Sequence, residues 1–108
     1  MITEKTTKEI LVEARALIEH PANWTQGELA HDRCGYKAHP NEPRAVCWCA
    51  IGALKKVCDG NYFVERTARV VLDNQARSMF GEDVVDANDR RTHSQVLAIF
   101  DEAIRARQ

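Results

Sequence analysis

Aromatic residues are scarce in this chain: two Trp, two Tyr and three Phe among 108 residues. Aliphatic side chains and alanine must therefore fill most of the core, and a hydrophobic fraction of 44% is enough for one. Excess charge of either sign is also missing, with 15 Lys+Arg against 16 Asp+Glu and a formal net charge of −1. That balance removes any whole-surface attraction to nucleic acid or to an anionic membrane. No run of about 18 apolar residues occurs, so no helical membrane span is encoded. The start, Met1-Ile2-Thr3-Glu4-Lys5, lacks the basic segment and apolar stretch of a secretory signal. The expected compartment is therefore the cytoplasm, where the four cysteines are reduced thiols or metal ligands rather than disulfides. Phosphate loops, dinucleotide fingerprints and paired-carboxylate constellations are absent too, and no cofactor is called for on their account.

Helix signals dominate what is present. Thr6-Thr7-Lys8-Glu9 is a capping box, followed by Ile10, Leu11, Ala14, Leu17 and Ile18 at helical spacing. The spacing predicts a helix over about 7–19, ended by His20-Pro21. Residues 21–45 hold Pro21, Gly27, Gly35, Pro40 and Pro43 and no helical period. Within them, Trp24–Ala30 reads as a short strand or turn and Arg33–Glu42 as an exposed loop. About 25 residues is long for a connection, and such segments are usually functional or pinned by a metal, a hairpin or a partner.

Ala45–Val57 reads as a short helix, or as a strand running into one, with Lys55 and Lys56 suited to its last turn. Asp59-Gly60 is a stop and Asn61 a cap for a third helix. One face of that helix carries Val64, Ala68, Val71, Leu72, Gln75 and Met79, with Phe63 and Phe80 at its ends and Gly81 as terminator. Glu82–Arg91 reads as a polar loop around Val84-Val85. Thr92 to Gln95 is a second capping box, and Val96, Ile99, Phe100, Ala103 and Ile104 follow as the stripe of the last helix. The expected fold is mainly α, residues 1–108 as a single domain. About four helices surround one core, with a long loop or short β-hairpin between helices 1 and 2. Leu11, Leu17, Ile18, Ile51, Leu54, Val64, Ala68, Val71, Leu72, Val96, Phe100 and Ile104 are the expected core, and Gly52 and Ala53 permit a close approach to the second helix.

Three segments stand out together: Trp24-Thr25-Gln26-Gly27; Trp48-Cys49-Ala50-Ile51-Gly52-Ala53-Leu54; and Asn88-Asp89 followed by Arg91-Thr92 and Val96-Leu97. With these the chain resembles a family of small uncharacterised bacterial and bacteriophage proteins. Their pattern is a tryptophan in the first loop, a W-C-A-x-G-A-L core and a terminal N-D…R-T-x-x-x-V-L helix. The resemblance covers most of the chain beyond residue 10. Two departures are visible: Ala87 stands where the family often has Trp or Phe, and the Asn-Asp to Arg-Thr spacing is slightly short. The resemblance implies the fold and a bacterial or phage origin rather than an activity.

Three chemistries are open at these residues. His31-x2-Cys34 and Cys47-x-Cys49 form a four-ligand set of the kind zinc takes, and a zinc there would pin the long loop. The pattern is loose, because His20, His39 and Cys58 complete alternative quartets. Cys49, at a helix start followed by small residues, is a candidate nucleophile with His93 or His31 as base and Asp89 as orienter. In the plainest reading the cysteines are inert packed thiols and Asn88–Thr92 is a structured cap before the last helix. Trp24, Arg90 and Arg91 are candidate partner-binding residues, because tryptophan and arginine anchor interfaces and both sit on loops. Arg90, Arg91, Arg105 and Arg107 are interleaved with Asp86, Asp89, Asp101 and Glu102, a mixed surface rather than a nucleic-acid stripe. The function expected is a non-enzymatic binding module acting through a protein partner, of which a phage-encoded inhibitor of a host system is one form. The alternatives are a Cys49 enzyme and a zinc-stabilised module with weak nucleic-acid contact.

Overall fold

The computed structural model describes residues 5–107. Residues 1–4, on which the secretion reading rests, and residue 108 lie outside the described residues. The elements are α1 (Thr7–Leu17), a 3-10 turn (Pro21–Asn23), β1 (Ala30–His31), β2 (Cys47–Trp48), α2 (Ala50–Cys58), α3 (Tyr62–Phe80), α4 (Val84–Arg90) and α5 (His93–Arg105). The fold is mainly α, as expected. A short antiparallel hairpin pairs Ala30 with Trp48 and His31 with Cys47 between the first two helices.

The cap chemistry sets the helix ends. Thr6 and Glu9 form the reciprocal box at α1, with Thr6 Oγ1 accepting from Glu9 N at 3.1 Å and Glu9 Oε1 accepting from Thr6 N at 2.8 Å. Thr92 and Gln95 repeat it at α5. Asn61 Oδ1 accepts from Phe63 N and Val64 N to start α3, and Gly81 ends it at φ +74°, in the left-handed region where glycine carries no Cβ penalty. Asp59 stops α2, also left-handed at φ 46°.

Two expectations are corrected. Glu82–Arg91 is largely the helix α4, not a polar loop, so the described residues hold five α-helices rather than about four. Asp83 caps it by accepting from Asp86 N at 2.9 Å, and Asp73 of α3 accepts from Val84 N at 3.0 Å. At seven residues α4 is too short to display a period, and a carboxylate from another helix completes its start. The Arg33–Glu42 loop is not wholly exposed either, since Ala38 and Pro40 are buried within it.

One contiguous apolar cluster joins α1, β2, α2, α3, α4 and α5. Leu11, Ile18, Ile51, Leu54, Ala68, Leu72, Val96 and Phe100 are buried in it. Leu17, Val64, Val71 and Ile104 pack at its margin, and Ile10, Ala14, Val84 and Ala87 add to its interior. Alanine contributes heavily, as the scarcity of aromatics requires.

Gly52 explains how closely the hairpin and α2 approach. A Cβ built there would lie 1.9 Å from the backbone oxygen of Leu29, the same oxygen that accepts from Cys49 N at 3.1 Å. No side chain fits without moving backbone. Gly52→Ala is expected to lower stability by at least ~1–3 kcal/mol, the usual cost of overpacking, read as a fall in the thermal midpoint. A variant melting with the parent would mean that Leu29 does not approach α2 this closely.

Candidate functional site

The three sequence segments that stood out meet around one buried side chain. Asn88 of α4 is 1% exposed. Its Oδ1 accepts from the Trp24 indole Nε1 at 2.8 Å and from Ala50 N at 3.0 Å. Its Nδ2 donates to the Thr25 carbonyl at 3.1 Å and to Asp89 Oδ1 at 3.2 Å. Two lone pairs and two N–H groups are thus all used. The neighbouring groups extend the clamp. Gln26 Nε2 donates to the Asn88 and Arg91 carbonyls, and Gly27 N donates to Asp89 Oδ1 at 2.9 Å.

Ala50 is the first residue of α2, so its N–H is one of the donors that a helix leaves without an internal partner. Asn88 satisfies it from α4. Gly52 N, two residues on, donates to Cys49 Sγ at 3.3 Å. Cys49 is therefore the N-cap of α2, an unusual role for cysteine that a hydroxyl or carboxamide commonly fills.

The nucleophile reading needs Cys49 and a histidine in one place. Cys49 is 8% exposed, and burial pushes its thiol above the ordinary range, with the Gly52 and Ile51 N–H groups opposing that shift. It borders a cleft of about 330 Å³ together with Gly27, Leu29, Ile51, Asn88 and Asp89. Asp89 is thus close to Cys49, but neither His93 nor His31 lines that cleft. His93 donates from Nε2 to the Ile18 carbonyl at 2.7 Å and packs its ring 5.3 Å from that of Trp24. His31 donates from Nδ1 to the Asp32 carbonyl at 2.8 Å.

The metal reading needs His31, Cys34, Cys47 and Cys49 to converge, and they do not. Among the described residues no group of three or more His, Cys, Asp or Glu side chains is placed to hold an ion. Cys47 Sγ donates to the Ala22 carbonyl at 3.0 Å, Cys49 caps α2, and Cys34 is exposed on a turn. The loop is cross-linked by Arg44 instead. Its guanidinium bonds Asp32 Oδ2 at 2.8 Å, Glu42 Oε2 at 2.7 Å and the Lys37 carbonyl at 3.0 Å. Trp48 adds a bond from Nε1 to the Pro40 carbonyl at 3.0 Å.

The partner-binding candidates are largely engaged within the fold. Trp24 is half-buried with its N–H on Asn88. Arg91 bonds Glu82 Oε2 at 2.7 Å and stacks 4.7 Å from the centre of the Phe80 ring. Arg90 projects outward, 72% exposed and 3.7 Å from Glu82 Oε1.

A surface that sequence reading missed lies on α3. Phe63 is 86% exposed, Tyr62 78% and Val70 49%. With Arg66, Thr67 and Val71 they border an open cavity of about 570 Å³. The signal was available: Phe63 and Val70 fall on the helix face opposite Ala68, Leu72 and Ala76, its buried residues.

A family model matches residues 2–106. The chain belongs to DUF6197, a family of unknown function. No curated protein and no solved structure matches it. Membership agrees with the resemblance to a family of uncharacterised proteins. It brings no reaction with it.

Replacing Asn88 by Ala would leave the Ala50 N–H and the Trp24 indole N–H without acceptors. The expected loss is about 2–6 kcal/mol, since each buried unpaired donor costs about 1–3 kcal/mol. Urea unfolding followed by Trp fluorescence measures it, and a loss under about 1 kcal/mol would contradict the role assigned to Asn88. The thiols give a second expectation. Burial, aided by the Glu65 charge, raises Cys58 from 9.0 to about 11. The folded state therefore keeps this proton where the unfolded chain gives it up. The Cys58 contribution is complete below pH 9 and is lost as pH rises toward 11. Cys34 should alkylate fast at neutral pH while Cys47, Cys49 and Cys58 wait for opening; a fast Cys49 would favour the enzyme.

Proposed function

We propose that this chain is a non-enzymatic bacterial or phage module that works in the cytoplasm by docking a protein partner. The docking surface is the outward face of α3 rather than Trp24, Arg90 and Arg91. The observation that supports it is the exposure of Phe63, Tyr62 and Val70 along one side of a 19-residue helix. Burying a side chain such as Phe is worth roughly 1.5–3 kcal/mol. An aromatic pair left in solvent beside an aliphatic one, bordering a cavity, is the composition of an interface anchor. A phage-encoded inhibitor of a host system would act in this way, occupying a surface rather than turning over a substrate. The cysteine-enzyme alternative is less well supported, because Cys49 caps α2, its thiol is raised rather than lowered, and both candidate bases are bonded to backbone carbonyls elsewhere.

The reading is tested by placing a photo-crosslinking residue at Phe63, at Val70 and at Arg90 in the expressing cell. Discrete adducts of one mass at positions 63 and 70, lost with Tyr62→Asp, are expected. Adducts confined to position 90, or none at 63 and 70, would contradict it. Tyr62→Asp should itself alter stability by no more than about 0.5 kcal/mol, as for other exposed positions.

A further inference from the structure

We infer that the partner segment seated on α3 is an acidic, apolar-anchored peptide chain of another protein, not a second copy of this one. The inference rests on the docking reading above. Phe63, Val70 and Arg77 recur every seven residues, two helical turns apart, and so form one stripe on α3. Arg66 and Thr67 fill the turn between the first two. Arg66 and Arg77 are exposed and have no carboxylate within ion-pair distance among the described residues.

The acids of α3 are already committed. Glu65 holds Lys55 at 2.9 Å and is 12% exposed at its side chain. Asp73 accepts from Val84 N at the start of α4, lies 3.8 Å from Arg69 and is 18% exposed. The outward stripe is therefore apolar and cationic on a chain whose net charge is −1.

Charge decides the occupant. A second copy would bring four unpaired guanidinium groups, two from each chain, to a contact whose carboxylates face elsewhere. Like charges at an interface oppose association, and opposite charges guide it and fix its register. A partner with apolar residues at i, i+3 or i+4, and i+7 fills the space beside Phe63 and Val70. Carboxylates flanking that row meet Arg66 and Arg77. A single strand of nucleic acid also combines anionic charge with stackable faces, but two free arginines on one helix face supply few phosphate contacts.

The test is a displayed library of helical peptides. Apolar residues are fixed at i, i+4 and i+7, and the four flanking positions vary among Glu, Gln and Lys. The full chain is the target. Peptides rich in Glu are expected to be enriched, and their binding is expected to weaken with salt and to vanish with Phe63→Asp. Arg66→Glu with Arg77→Glu should weaken a selected peptide by about tenfold, near 1.4 kcal/mol, and reselection on that variant should favour Lys. Equal recovery of Glu and Lys peptides that still need Phe63 would overturn the acidic partner while leaving the docking surface standing. Recovery of no peptide sensitive to Phe63 would overturn both. A Phe63-dependent dimer at micromolar concentration, or tight binding of oligothymidylate lost with Arg66→Glu, would overturn the inference in favour of those occupants.

Discussion

The loop before the hairpin, the start of α2 and the helix α4 are held together by the carboxamide of Asn88. A buried amide is destabilising unless each of its four hydrogen-bonding positions is matched. Here the matches come from three places in the chain: the indole of Trp24 with the carbonyl of Thr25, the first N–H of α2, and the carboxylate of the adjacent Asp89. Asparagine is the residue that fits. Aspartate would supply no donor for Thr25, and leucine would strand both Ala50 N–H and the indole. Long-range order follows directly, since a loop before the hairpin, the start of α2 and a helix near the end of the chain are tied to one group.

The hairpin and α2 depend on this point in turn. Cys49 N donates to Leu29 and Cys49 Sγ caps the helix, while Gly52 admits the Leu29 backbone. The Trp-Cys-Ala-x-Gly-Ala-Leu segment is therefore a piece of architecture, with specific contacts at four of its residues and Ile51, Ala53 and Leu54 buried in the core. Trp48 anchors the loop at Pro40, Cys49 caps, Ala50 meets Asn88 and Gly52 yields space. The long connection is fixed by Arg44 and its two carboxylates.

Much of this was legible in the sequence, wherever a signal is local. Both capping boxes, the Asn61 cap and the stops at Asp59 and Gly81 arise from residues within four positions of one another, and each appears as read. The alternation of readings for residues 45–57 resolves as a strand running into a helix because Trp48 pairs with Ala30. What could not be read depends on distant partners. The helix α4 is completed by Asp73, eleven positions earlier. The quartet of His31, Cys34, Cys47 and Cys49 has suitable spacing, yet the hairpin directs its members to different partners. Asn88 and Asp89 were visible as a motif, but their reach to residues 24–27 was not. The outward stripe of α3 is less legible for a different reason: Phe63 sits beside the Asn61 cap, where it reads as part of the helix end although its phase opposes the core.

The clamp around Asn88 is fully matched, while Glu28 Oε2 and Asn41 Oδ1 are buried without a hydrogen-bond partner among the described residues. Architecture centres on Asn88, and the exposed side chains of α3, Phe63 and Tyr62 among them, are the surface we propose for docking. Amide hydrogen exchange on the intact protein tests the architectural half, on which the rest depends. The Trp24 indole N–H, Ala50 N–H and Gly27 N–H should exchange only as slowly as the amides of α5, through opening of the whole fold. Exchange at these three sites many times faster than in α5 would show that Asn88 does not clamp the loop to α2 and α4.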